Sequence, residues 1–182
     1  MKLRIRRLTL ELWPALEELF GEKGACNGCW CMYWRIGSAY RKTPREKNKA
    51  ALQKVVRRGP PPGLIAFDGD LPVGWCQLTP RDALPWLERS WRLKRVDDLP
   101  VWSISCLYVR KGYRRMGITS SLIAAAVRLA KKAGARSLSP GCEFDTQRIV
   151  DRVCLNFRAR RLQNCWPTRA TSPDYGFELK RL

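Results

Sequence analysis

The stretch from Val101 to Ala135 constrains this chain more than any other, because an apolar run passes through a basic, glycine-bearing turn and continues as an amphipathic segment. Val101, Trp102, Ile104, Leu107, Tyr108 and Val109 favour extended backbone, which predicts a strand. Leu122, Ile123, Ala126, Val127 and Ala130 recur at helical spacing, which predicts a helix opening behind Gly117. A strand that feeds a helix through such a turn exposes the first amides of the helix. Those N–H groups lack intrahelical acceptors and carry the positive end of the helix dipole, so a phosphate seated there gains hydrogen bonds and charge compensation. Arg110, Lys111, Arg114 and Arg115 concentrate side-chain charge at the same place, and a guanidinium grips phosphate oxygens through two parallel bonds.

Other phosphate-binding turns fit less well. The Lys-Ser/Thr pair of a P-loop is missing, and only one glycine lies in the turn, where dinucleotide folds use several. In the order of its parts the segment instead resembles the acyl-CoA-binding signature of the GNAT superfamily of N-acetyltransferases, a strand leading into an Arg/Gln-x-x-Gly-x-Gly/Ala turn and a helix. Here the turn reads Arg114, Arg115, Met116, Gly117, Ile118, Thr119, with Thr119 standing where the signature has Gly or Ala. The resemblance implies an α/β fold with a mixed, mostly antiparallel central sheet flanked by helices. It implies that Leu107, Tyr108 and Val109 hold the pantetheine arm and that Arg114, Arg115, Met116, Gly117, Ile118, Thr119 and Ser120 hold the pyrophosphate of acetyl-CoA. The activity it implies is transfer of an acetyl group from acetyl-CoA to a small-molecule or protein amine, by direct attack in a ternary complex. A non-catalytic CoA-binding or basic nucleic-acid-binding module on the same fold is the alternative.

Composition agrees with this reading. A chain of 182 residues with 45% hydrophobic content suits one domain over 1–182, although the resemblance covers only 1–139 and fades in the arginine-rich segment from Ser139 to Leu182. The sequence shows no run of 18 apolar residues and no signal-peptide pattern, so a cytoplasmic protein that does not enter a membrane is expected. In that compartment the eight cysteines read as reduced thiols. The net charge of +19 suits an anionic partner. Nucleic acid is not the expected one, because no paired zinc-ligand motif or RNP-type aromatic strand is present. A homodimer is compatible with the sequence.

Along the chain, Leu3 to Leu8 reads as a first strand and Thr9 as the cap of a helix carrying Leu12, Leu16 and Leu19, ended by Gly21. A basic helix is predicted from about Pro44 to Arg57, closed by Gly59. Leu64 to Phe67 and Val73 to Leu78 read as a hairpin joined by Asp68-Gly69-Asp70, and a short strand is predicted near Arg136 to Leu138.

Between the first two helices lies Cys26-Asn27-Gly28-Cys29-Trp30-Cys31-Met32-Tyr33-Trp34-Arg35. The Cys-x-x-Cys pair is a zinc half-site in form, but no second half-site and no histidine exists, so no metal is expected. A redox dithiol lacks its usual flanking context. The favoured reading is a turn whose aromatic and thiol side chains pack as core or wall the acceptor pocket. The segment is similar to one that a branch of the superfamily carries, which implies a substrate wall including Trp30 and Trp34. With histidine absent the commonest general base is missing. Tyr108, Asp98 and Tyr175 are the candidates for proton transfer. Cys106 reads as a core thiol rather than a nucleophile, because nothing is available to activate it.

Overall fold

The computed structural model describes residues 2–89 and 100–135 together with the backbone of 137–139. Five strands form one sheet in chain order: β1 (Leu3–Arg7), β2 (Gly63–Asp68), β3 (Leu71–Pro80), β4 (Val101–Val109) and β5 (Ser137–Ser139). The first four are antiparallel, and β5 runs parallel to β4. This is the mixed, mostly antiparallel sheet expected from sequence. Helices α1 (Trp13–Phe20), α2 (Tyr33–Ile36), α3 (Arg45–Arg58) and α4 (Ile118–Lys132) flank it.

Most boundaries follow from local chemistry. Gly69, at φ 61°, closes the tight turn between Asp68 and Leu71, and Gly21 and Gly59, both left-handed, end α1 and α3. One expectation is corrected. Thr9 does not cap α1: its carbonyl accepts from the Leu12 amide at 3.1 Å, and the helix opens only at Trp13. Pro14 explains the delay, since its fixed φ and missing N–H suit the first helical turn.

Alternation along the strands sorts the core into two layers. On one face Leu64, Ala66, Val73, Cys76, Leu78 and Ile104 pack against Ile118, Leu122, Ile123 and Ala126 of α4. On the other, Ile65, Phe67 and Trp75 meet α1, α3 and the cysteine-rich turn through Leu16, Phe20, Trp30, Cys31 and Leu52. The second layer is aromatic. Phe20 contacts Trp30, Trp75 and Tyr108 with ring centroids 5.4, 6.1 and 5.7 Å apart.

Two irregularities shape β4. Gln77 faces Cys106 while Leu78 faces Ile104, so Ser105 is an extra residue and the strand bulges there. Described pairing with β5 ends at Ser103, so among the described residues the outer edge of β4 from Ile104 to Val109 has no strand partner.

The approach of α4 to the sheet depends on Gly74. A Cβ at that position lies 2.7 Å from the Ile118 side chain and 3.1 Å from that of Leu122, both fully buried. Gly74→Val is therefore expected to destabilise the protein by about 1–3 kcal/mol through overpacking. Urea unfolding checks this, with wild-type stability in the variant counting against such close packing.

Candidate active site

The end of β4 delivers the chain to the basic turn. Arg115 (φ 65°) and Gly117 (φ 75°) are both left-handed, and between them they fold the backbone into a concave loop at the start of α4. The first amide of this region with a backbone acceptor is that of Ser121, on the Gly117 carbonyl at 3.0 Å. Among the described residues the amides of Met116, Gly117, Ile118, Thr119 and Ser120 have no backbone acceptor, and α4 has no side-chain cap. The loop is open: a Cβ on Gly117 meets nothing within 4 Å, and Met116 is 48% exposed. Ile118 anchors the loop by burying its side chain against the sheet.

The flanking cations divide into two groups. Arg110 is turned away, its Nε donating to the Pro72 carbonyl at 2.8 Å and its Nη2 to Glu18 at 2.9 Å. Lys111 and Arg115 are exposed beside the loop, and Arg114 is half-buried. Of the four basic residues read as one cluster, Arg110 thus ties α1 to the β3–β4 end of the sheet.

Opposite β4 stands α2. The Trp34 Nε1–H donates to the Ser105 carbonyl at 3.1 Å, so the indole is fastened to the bulge. Tyr33 crosses Trp34 edge-on at 4.7 Å and Tyr40 at 5.8 Å. The Trp86 ring covers Gly37, where a Cβ lies 2.2 Å from it, and the Arg89 guanidinium stacks on that indole at 4.3 Å. Trp30 has another place. It is 3% exposed, packed between Trp13 and Phe20 in the core, with its edge flooring a groove of about 570 Å³ between Glu17, Glu22, Arg45 and Lys49. Tyr108 packs its ring on Phe20 and pairs opposite Trp75. Asp98 and Tyr175 lie outside the described residues.

Sequence reasoning did not find the polar patch beneath α2. Gln77, Thr79 and Ser103 are buried on the α1 side of the sheet, with Cys106 and the bulged Ser105 beside them. Gln77 donates from Nε2 to the Cys31 carbonyl at 3.3 Å, yet among the described residues its Oε1 has no partner, and neither do the Ser103 and Ser105 hydroxyls nor the Arg35 Nε. The available signal was the pair of serines interrupting an otherwise apolar strand.

Cys29, Cys31 and Cys106 lie on this side of the sheet and Cys76 on the α4 side; all four are free, whereas Cys26 is disulfide-bonded and so departs from the expected all-reduced set. The Trp75 indole N–H reaches the Cys31 sulfur at 3.3 Å. Burial pushes the Cys29 thiol up to about 11, with Cys106 adding to the effect. Hydrogen bonding with Cys106 and then burial raise Cys31, and burial raises Cys76. These groups are neutral thiols at physiological pH, not nucleophiles. No group of His, Cys, Asp or Glu among the described residues is arranged to hold a metal ion.

The fold, the open turn and a strand edge without a partner among the described residues define a class of α/β domains with a free helix N-terminus beside an open sheet edge. Residues 15–149 match the family described as acetyltransferase (GNAT), and the chain belongs to that family. No curated protein sequence matches it. Among solved structures, the aminoglycoside acetyltransferase AAC(6')-Iy with a bisubstrate analogue is similar at TM-score 0.53 and 15% identity, all of both chains being covered. The aminoglycoside 6'-N-acetyltransferase AAC(6')-IG of Acinetobacter haemolyticus is similar at TM-score 0.52 and 16% identity, over 98% of this chain and 99% of that one. At such identity these likenesses establish the fold. No described helix is long and apolar enough to cross a membrane.

The thiol shifts carry a sign. A folded Cys29 holds its proton to about 11 while an unfolded one releases it near 9.0, so its contribution to stability is complete below 9.0 and is lost as pH rises through about 11. Urea midpoints measured up to about pH 11 are expected to fall less steeply for Cys29→Ser than for wild type. Parallel curves would show that burial of this thiol is not coupled to folding.

Proposed function

We propose that this protein is an N-acetyltransferase in which acetyl-CoA lies along the outer edge of β4 and an amine reaches it from the α2 side. The observation that carries the reading is the run of amides from Met116 to Ser120, without a backbone acceptor among the described residues, around an open, left-handed Gly117. Several convergent N–H donors at a helix N-terminus match a diphosphate, and the bare Gly117 leaves room for it to approach. Arg114 and Arg115 add charge to the same cradle, and Thr119 and Ser120 contribute first-turn amides. The edge of β4 at Leu107, Tyr108 and Val109 suits an extended amide-bearing arm, which adds to a sheet edge as a peptide does.

Bound acetyl-CoA supplies an activated thioester carbonyl. The chain's part is to hold the donor rigidly on β4, to present the amine at attack distance from the opposite wall, and to keep water out. Orientation of this kind is worth about 7–11 kcal/mol in favourable intramolecular cases, enough for a large rate gain without a strong base. Trp34, fastened to Ser105, joins the acceptor wall to the donor strand, so the two halves of the site keep a fixed spacing. Tyr108, Asp98 and Tyr175 remain the side chains proposed for proton transfer. The small-molecule and protein amine acceptors of the superfamily both fit this reading, and a monomer or a homodimer serves it equally. The basic surface alone, without the cradle, favours the polyanion-binding alternative.

Calorimetry with acetyl-CoA followed by a thiol-release assay across an amine panel tests the proposal. Micromolar binding and acceptor-dependent CoA release are expected. Gly117→Val places a branched side chain at a left-handed position and in the approach path, and is expected to weaken CoA binding by about tenfold or more, equivalent to about 1.4 kcal/mol. Absence of acetyl-CoA binding, combined with steeply salt-dependent RNA or DNA binding, would falsify the acetyltransferase reading.

A further inference from the structure

The outward face of α3 is a basic ridge. Asn48, Leu52 and Val56 are the buried residues of the helix, so its 3.6-residue period turns Lys47, Ala50, Lys54, Arg57 and Arg58 to the opposite side, where all are exposed. That side carries four cations and no carboxylate. Glu46, the only acid of the helix, stands in its first turn and pairs with Arg45 at 2.8 Å, and Glu17 takes Lys49 at 2.9 Å. None of the four ridge cations has a carboxylate partner among the described residues.

Helix chemistry alone does not account for the ridge. Arg57 and Arg58 sit in the last turn, where the negative end of the helix dipole favours them, but Lys47 and Lys54 lie outside that turn and gain nothing from it. Like charges one turn apart, as Lys54 and Arg58 are, work against the helix. The helix is nonetheless held firmly: the buried Asn48 donates to the Gly28 and Tyr40 carbonyls at 2.9 and 3.0 Å, and Leu52 and Val56 share a core cluster with Leu8. Further exposed cations stand at both ends. Arg41 and Lys42 precede α3, and Arg6 and Arg7 close β1, next to the Leu8 amide that bonds the Gly63 carbonyl, which the chain reaches soon after Arg58. From Lys47 to Arg58 the ridge spans about 16 Å at the ~1.5 Å rise of a helix, while one strand of a duplex passes a phosphate every ~3.4 Å, so a single strand offers several negative charges along it. No aromatic side chain stands on the ridge, so phosphate contact rather than base stacking carries the interaction.

We infer that the outward face of α3 is a docking surface for the phosphate backbone of a nucleic acid, bound without sequence preference. The zinc-ligand and RNP-type motifs missing from the sequence are ones that read bases, and a phosphate track does not need them. This surface is separate from the cradle. Helices α3 and α4 pack on opposite faces of the sheet, so a nucleic acid lying on α3 leaves the turn before α4 free.

The full-length protein is titrated into fluorescein-labelled oligo(U) and into a mixed-sequence DNA duplex, each about 20 nucleotides long, with anisotropy read from about 50 to about 200 mM salt. Micromolar affinity is expected at the low end, falling with a log–log slope of about −3 on the single strand, as neutralisation of about four phosphates requires. A variant combining Lys47→Gln, Lys54→Gln, Arg57→Gln and Arg58→Gln is expected to bind at least about tenfold more weakly and to flatten that slope by about 2 to 3. A control combining Lys2→Gln, Lys23→Gln, Arg128→Gln and Lys132→Gln removes the same charge from other exposed positions, and is expected to stay within about threefold of wild type. Thermal midpoints show whether both variants fold. If the α3 variant does not, Lys54→Gln with Arg58→Gln replaces it, and a slope flattened by about 1 to 2 is then expected. Absence of binding at about 50 mM salt, equal losses in the two fourfold variants, or α3-dependent binding of phosphatidylserine vesicles without binding of either nucleic acid would each overturn the inference.

Discussion

The packing of α4 on β3 at Gly74 is the constraint on which the site depends. A helix can offer its first amides to a ligand only if its N-terminus is held still, and a left-handed glycine at that terminus supplies no rigidity of its own. Ile118 and Leu122 supply it by burying fully against the sheet where Gly74 leaves room. Their burial contributes about 1.5–3 kcal/mol each, which compensates for holding Arg115 and Gly117 left-handed and five amides with no backbone acceptor among the described residues. The cradle is therefore an exposed polar feature carried by an apolar contact on its inner side.

The acceptor side is built on the opposite principle, a strained backbone locked by aromatic packing. Ala25, Asn27, Trp30 and Cys31 all have positive φ, an arrangement that costs on the order of 1–2 kcal/mol at each ordinary residue. Gly24 lies directly under the Trp30 ring, and Trp30 and Cys31 are buried against Trp13, Phe20 and Trp75. The packing holds the turn in a shape that its local preferences oppose. That shape is what sets α2, only one turn long, against the bulge of β4, since a helix so short has no stability of its own.

How much of this is legible in the sequence divides along the same line. The cradle is local: Gly117, the apolar stretch before it and the helical periodicity after it lie within one contiguous segment, so spacing alone places them. The hairpin, the basic helix and the final short strand are legible for the same reason. What spacing cannot show is a side chain's destination when a partner decides it. Arg110 sits among phosphate-ready cations in sequence, yet Glu18 and the Pro72 carbonyl, both distant along the chain, capture it. Trp30 and Trp34 look alike in an aromatic run, but left-handed backbone at Trp30 and Cys31 sends one into the core and the other to β4. The bulge at Ser105 leaves no local mark except polarity, because it is a property of register between two strands.

Charge shows most sharply why location matters more than total. The chain's +19 says little by itself, since most of the described cations are at least partly exposed and several are paired with carboxylates. In water such charges interact weakly and are screened within about 8–10 Å at ordinary salt. Arg35 differs in that its Nε is buried without an acceptor among the described residues. The same reasoning ranks the cradle above the rest of the basic surface, since backbone amides fixed by Ile118 present donors in one direction. In the proposed site, recognition of the donor then rests on a few held amides that lack a backbone acceptor among the described residues, while the exposed basic side chains set the long-range field in which an anionic ligand approaches.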